Sequence, residues 1–320
     1  MKYLIKLKPL EPYFFGGDTT FGVLGDEENG TYLAKSRHFP QQSALLGMLK
    51  KEILTQANLL TRKVRGEWVN KELKEQANSL VGKEKFDILK QQKQDFGAIK
   101  SLSPIFLLHQ EMPFIKKVAI DKYEYKDGLL KGYNPKADIY NNFVSINNAT
   151  SKKYSDIFKE IEQIGIKKGG GNNALFKKTS YLLKENFEFG FYCEVDFELS
   201  DSIVTLGADR SKFSFRVQKS TNSLEYYDKN GYMVLLSDAY ITLPIKKHCE
   251  FAITSEISFQ SLKNKKHSTK HNKFEKSKKL YLYEKGSLFI NPDEALIANL
   301  NNPNLQQIGY NKFTLNKGEK

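Results

Sequence analysis

Cysteine is nearly absent: Cys193 and Cys249 are the two in a chain of 320 residues. That excludes a disulfide scaffold and a cysteine-rich zinc site. Histidine is scarce as well, with five residues, so imidazole-based catalysis has few candidates. Arginine supplies only five of the 50 basic residues. Lysine acts as a mobile point charge where arginine offers a planar fork, so the balance suits backbone neutralisation better than base reading; a lysine bias also follows from genome base composition. No apolar run approaches the roughly 18 residues of a membrane helix. The start, MKYLIKLKPL, alternates like a strand and lacks a signal peptide's apolar core. A soluble cytoplasmic protein with no membrane partner is expected.

What is present is aromatic and basic. Twenty-two Phe and 17 Tyr support a filled core, and a net charge of +13 favours an acidic partner such as nucleic acid. The length suits two domains. Tyr3, Ile5 and Leu7 alternate with Leu4, Lys6 and Lys8 as a strand with one wetter face. Gly16, Gly17, Gly22, Gly25 and Gly30 then mark a long loop. Pro40 suits the first turn of a helix carrying Leu45, Met48, Leu49 and Ile53 on one face, with Lys50 and Lys51 toward solvent. Residues 66–98 read as an exposed helical insert. Strands are expected at 103–108 and 116–125, and an extended hairpin or loop over 126–142. A second amphipathic helix is read at 155–164. The strongest strand is 187–197, with strict period two placing Cys193 on the apolar side.

The order strand, helix, strand, strand, helix, strand is that of a split βαβ unit. The expected fold is therefore α+β: two ferredoxin-like (RRM-like) domains with loop and helical insertions. Residues 1–199 form the first. Residues 200–320 form a strand-rich second, with strands at 213–218, 232–236, 251–259, 280–283 and 287–290. Asn291 and Pro292 signal a short helix there, and a lysine-rich loop spans 263–279. That loop has too little apolar surface to fold alone; a solvated tip and a phosphate-contacting arm are its two readings.

Chemistry is sparse. His267 and His271 have i, i+4 spacing but lack the Glu of HExxH, and His248 and Cys249 point to opposite faces of a strand. KKGGGNN (167–173) lets backbone N–H groups approach an anion, yet it lacks a P-loop's GK[ST] and is read as following a helix. A flexible turn and an RNA-phosphate contact both fit, and Lys167, Lys168, Lys177 and Lys178 favour the second. Asn172 and Asn173 add hydrogen-bonding groups. His38, between Arg37 and Phe39, is a candidate general base, an RNA contact or a structural loop residue. In TLGADRSKFSFRV (205–217), Arg210 and Lys212 sit in a turn while Phe213, Phe215 and Val217 face the core.

EPYFFGGDTTFG followed by FPQQSALLGMLKKEIL, then IGIKKGGGNNALFKKTSYLL, TLGADRSKFSFRV, GYMVLLSDAYITL and EKGSLFI with IGYNKFTL resemble, in that order, the RAMP superfamily of CRISPR proteins. The likeness is greatest to the subunit-three family of the Cmr (type III-B) effector complex, and it spreads over nearly the whole chain. It implies a non-catalytic subunit that binds the 5′ handle of the CRISPR RNA (crRNA). Such a subunit docks beside a Cas10-type large subunit and contacts the adjacent RAMP backbone subunit. The resemblance also implies a thumb-like hairpin, for which 126–142 and the loop around Gly169 are candidates. RNA contacts are expected at Gly16, Gly17, Arg37, His38, Lys50, Lys51, Lys167, Lys168, Gly169, Gly170, Gly171, Asn172, Asn173, Lys177, Arg210 and Lys212. No catalytic residue, metal or cofactor is expected. The rival expectation is a metal-independent RAMP endonuclease with His38 as general base. A third is an assembly protein whose charge is incidental. Two features depart from the family: Gly207-Ala208 in place of paired glycines, and the 263–279 insert.

Overall fold

The computed structural model describes residues 1–16, 19–21, 32–61, 63–64, 67–118, 122–134, 139–167, 174–260, 262–264 and 274–314. The architecture is mixed α+β, with mostly antiparallel sheets and few helices. Two compact units divide the chain. The first takes Met1–Ile115, Phe143–Tyr226 and Pro303–Gly309; the second takes Lys116–Asn142, Tyr227–Asn302 and Tyr310–Lys320. Both are discontinuous, so the 199/200 boundary read from sequence coincides with neither unit's limits.

The first unit is built on a nine-stranded sheet. Its centre is Lys2–Pro9, paired antiparallel to Phe187–Val195 on one side and Ser211–Lys219 on the other. The alternation explains the burial. Ile5 lies opposite Phe191 and Val217, and Leu7 opposite Phe189 and Phe215, so one face fills with aromatic and aliphatic side chains. Cys193 is on this face, and burial pushes its thiol up to about 12, which leaves it inert. The other face is less wet than the alternation suggested. Leu4, Phe106, Leu108 and Tyr192 form a buried cluster there, and Lys6 reaches Glu111 at 2.5 Å.

The helix Gln42–Gln56 forms where expected and buries Leu45, Leu49 and Ile53. Gln42 anchors its start by donating to Ser103 O (2.8 Å) and Ile308 O (3.0 Å). The insert is only partly helical. Lys71–Val81 is a helix capped by Asn70, while Ile88, Phe96 and Ala98 in the following irregular stretch are core.

The expected helix at 155–164 is a correction. One turn, Tyr154–Ile157, is helical, and Phe158–Lys167 is a strand paired over ten residues with Ala174–Leu183. Apolar residues at 158, 161 and 164 mimic a helical stripe. The β-branched Ile161, Ile164 and Ile166, with a full-length partner strand, decide the outcome. KKGGGNN is therefore preceded by a strand, and residues 168–173 join the two halves of a hairpin. This hairpin, Tyr32–Lys35 and Thr19–Phe21 make a four-stranded sheet with Phe158–Lys167 at its edge.

The second unit holds a four-stranded sheet of Phe251–Ile253, Leu288–Ile290, Met233–Leu235 and Phe313–Thr314. Met233, Leu235 and Phe289 pack with Leu296 and Leu300 of the helix Glu294–Leu300. That helix is capped by Asp293, whose carboxylate accepts from Leu296 N–H at 2.9 Å, and not by Asn291. The 126–142 reading holds in part: Glu124–Lys126 and Leu129–Lys131 form a hairpin about Asp127-Gly128. Gly286, at φ +88°, is required because a Cβ there would stand 2.9 Å from Lys116 O. Lys117 and Asp228 form an ion pair with both side chains fully buried. No helix among the described residues is long and apolar enough to cross a membrane.

Candidate nucleic-acid interface

Four stretches far apart in sequence meet in the first unit. Tyr13 exchanges backbone bonds with Tyr181 (2.8 and 3.1 Å), which ties the chain leaving the first strand to the long hairpin. Ser36 joins the same seam: its N–H donates to Thr179 O at 2.9 Å, and its Oγ accepts from Phe15 N–H at 2.9 Å. The turn Gly207–Arg210 closes it. Ala208 N–H donates to Phe14 O at 2.9 Å, and Lys212 N–H to Glu11 Oε1 at 2.8 Å. Gly207, at φ +93°, is what allows this, since a Cβ would lie 2.5 Å from Phe14 O. The glycine stands where the sequence shows Gly-Ala, and one glycine suffices for the approach.

The seam is floored by aromatics. Tyr13 is fully buried and lies 4.4 Å from Phe15, 5.7 Å from Phe189 and 5.9 Å from Phe213, ring centre to ring centre. Its hydroxyl donates to His38 O at 3.1 Å, and burial with the neighbouring Tyr181 raises its pKa well above the usual phenol value. His38 is packed as a ring. Its centroid is 3.8 Å from Tyr154, 4.0 Å from Tyr181 and 4.9 Å from Phe158.

Gly16, Arg37, His38, Lys177, Arg210 and Lys212 are thus brought to one region. Gly16 has φ +69° and open space around its Cα, Arg37 is half-buried, and Arg210 and Lys212 are exposed. Lys177 pairs with Glu162 at 2.6 Å. The helix lysines differ. Lys50, expected in solvent, is half-buried with its ammonium 4.6 Å from the Phe96 ring centre and donating to Glu84 O at 3.0 Å. Burial lowers its pKa from 10.5 to about 8. Lys51 is exposed and donates to Thr205 Oγ1 at 3.1 Å. The backbone of Lys167 pairs with Ala174. Gly17, Lys168, Gly169, Gly170, Gly171, Asn172 and Asn173 lie outside the described residues, as do His267, His271 and most of the lysine-rich loop.

Sequence reasoning missed Phe14 and Asp209. The Lys178 ammonium sits 4.9 Å from the Phe14 ring centre and pairs with the Asp209 carboxylate. No local signal marks either residue, because the contact joins positions about 30 and 160 residues apart.

No protein-family model matches this sequence, and no curated protein matches it either. Solved structures do. A chain of the type III-B Cmr-beta complex bound to cognate target RNA, solved by cryo-electron microscopy, aligns with TM-score 0.52 at 14% identity. The alignment covers 98% of this chain and 96% of that one. The same complex with AMPPnP, in state 1, aligns with TM-score 0.51, 14% identity and the same coverage. The chain therefore shares, along nearly its whole length, the fold of a subunit of a type III CRISPR effector complex.

Proposed function

We propose that this protein is a non-catalytic, cytoplasmic RNA-binding subunit of a type III-B CRISPR (Cmr) effector complex, the subunit-three member of the RAMP superfamily. It holds the 5′ handle of the crRNA and docks to a Cas10-type large subunit and the adjacent RAMP backbone subunit. The single observation that carries this reading is the near full-length fold likeness to a chain of an RNA-bound type III-B complex. The order of the family-like segments agrees with it, and so does the meeting of Gly16, Arg37, Lys177, Arg210 and Lys212 on one basic seam. Two ferredoxin-like halves are part of the same proposal. Single-stranded RNA is held by phosphate neutralisation and by stacking of splayed bases on aromatics. The seam supplies the cations, and Phe14 and Phe15 are the half-buried aromatics beside them. The packing of His38 among three aromatic rings supports a structural role over that of a general base.

The test is binding and integrity of a labelled repeat-derived RNA, with and without its handle, in chelator at two salt concentrations. Handle-dependent, salt-sensitive binding with the RNA intact is the expected result. Equal binding of both RNAs overturns the handle assignment. Cleavage that survives chelator and disappears in His38→Ala assigns the protein to the endonuclease class instead.

A further inference from the structure

The edge strand Phe158–Lys167 has one paired side and one open side. Lys184 N–H donates to Ile157 O at 2.8 Å, and the register with Ala174–Leu183 is constant along all ten residues. The ladder bonds to that partner therefore fall on the odd-numbered residues. The N–H and C=O groups of Glu160, Glu162 and Ile164 point the other way, where no described residue pairs with them. A long edge of this kind is a template for another strand unless something blunts it. Here no proline or bulge interrupts it, and Ile164 at its middle is 76% exposed.

We propose that this edge is a docking site for an extended segment of another protein, which adds as a further strand and carries lysine or arginine at alternate positions beside an apolar residue facing Ile164. Three observations select that occupant. Backbone donors and acceptors in alternation match a polypeptide strand and have no counterpart in a phosphate backbone. Beside Glu160 and Glu162 the lysines are matched by carboxylates, Lys35 with Glu160 at 3.2 Å and Lys177 with Glu162 at 2.6 Å, so this stretch of the edge carries no excess of positive charge. Each glutamate side chain keeps about half its surface exposed, 50% and 49%, and is open to a second cation. A second copy of the chain fits poorly. The two antiparallel two-fold registers with the fullest overlap set Glu162 against Glu162, or Lys159 against Lys167, and like charges directly opposite destabilise a pair.

The inference stands apart from the RNA reading, and one set of samples separates them. A fluorescein-labelled ten-residue peptide, with two lysines and a valine at successive alternate positions and threonine at those between, is titrated into the full chain and followed by anisotropy, with hydrogen exchange of segment 158–167 read by mass spectrometry. The chain's net charge of +13 repels this peptide, so bulk attraction does not produce a false signal. Binding by the wild type with protection of 158–167 is expected. Ile164→Pro removes one outward N–H and keeps the inner ladder, and should weaken binding about tenfold; Ile164→Val keeps both the N–H and an apolar side chain and should not. Glu162→Lys should shift preference to a peptide with glutamate in place of the lysine that faces residue 162, which keeps the test decisive if the proline variant folds poorly. Failure of the wild type to bind, or binding by Ile164→Pro and Glu162→Lys equal to wild type, overturns the proposal. RNA binding by Ile164→Pro and Ile164→Val, expected to be unchanged, reports the other reading by itself.

Discussion

Single residues decide how the basic seam is assembled. Gly207 combines a left-handed backbone with a 2.5 Å approach of its missing Cβ to Phe14 O. Gly207→Ala should therefore cost about 2 kcal/mol in urea denaturation and loosen the Phe14 segment. Lys50 gives a pH signature. Its folded pKa, about 8, lies below the unfolded 10.5, so below pH 8 it is charged in both states and its burial penalty is complete. Between the two values the folded state sheds its proton first, and stability from this group rises with pH. Lys50→Met, which keeps a stem over the Phe96 ring, should gain about 1 kcal/mol at pH 7 after allowance for partial exposure. The gain should shrink as pH approaches 10.5. A gap that does not change with pH would show that Lys50 is not the titrating group.

Elements show what was legible in the sequence and what was not. Strict alternation in FEFGFYCEV found the strand Phe187–Val195, because both faces of its ladder are set by local pattern. The Asp127-Gly128 turn was equally readable. FKEIEQIGIK was not. Its apolar spacing satisfies a helical stripe and an edge strand alike, and only the distant partner ALFKKTSYLL resolves it. The seam itself was half legible: its glycines and cations stand in recognisable segments, while Phe14, Asp209 and the packing around His38 arise from contacts between segments. Lys50 was misplaced because helical periodicity cannot foresee that Phe96 covers one flank of the helix. In the second unit, the buried Lys117–Asp228 pair is a further long-range feature, with Asp228 also accepting from Asn230 N–H (2.9 Å) and Tyr232 N–H (3.2 Å). Lys117→Met leaves a buried carboxylate unpaired and should cost about 3 kcal/mol. Adding Asp228→Asn should restore most of that in thermal melts, because the amide oxygen still accepts those bonds without a charge.

For the whole molecule, a lysine-rich chain that neutralises phosphates should lose RNA affinity steeply with salt. Removing Lys167 and Lys168 together should lower the log–log salt slope by about 1.4, which corresponds to two single-strand phosphate contacts. An unchanged slope would place the RNA elsewhere on the protein. The fold likeness makes this a component of a larger assembly in the proposed reading, and the RNA carried by that assembly is the direct witness. The decisive measurement is to tag this chain in its own cells, purify what it holds under native conditions, and sequence the bound RNA. The account predicts short RNAs that share one constant 5′ end followed by variable guide sequence, and their loss when Arg37, Arg210 and Lys212 are replaced together. Recovery of the protein with no RNA, or with RNAs lacking a common 5′ end, would contradict it.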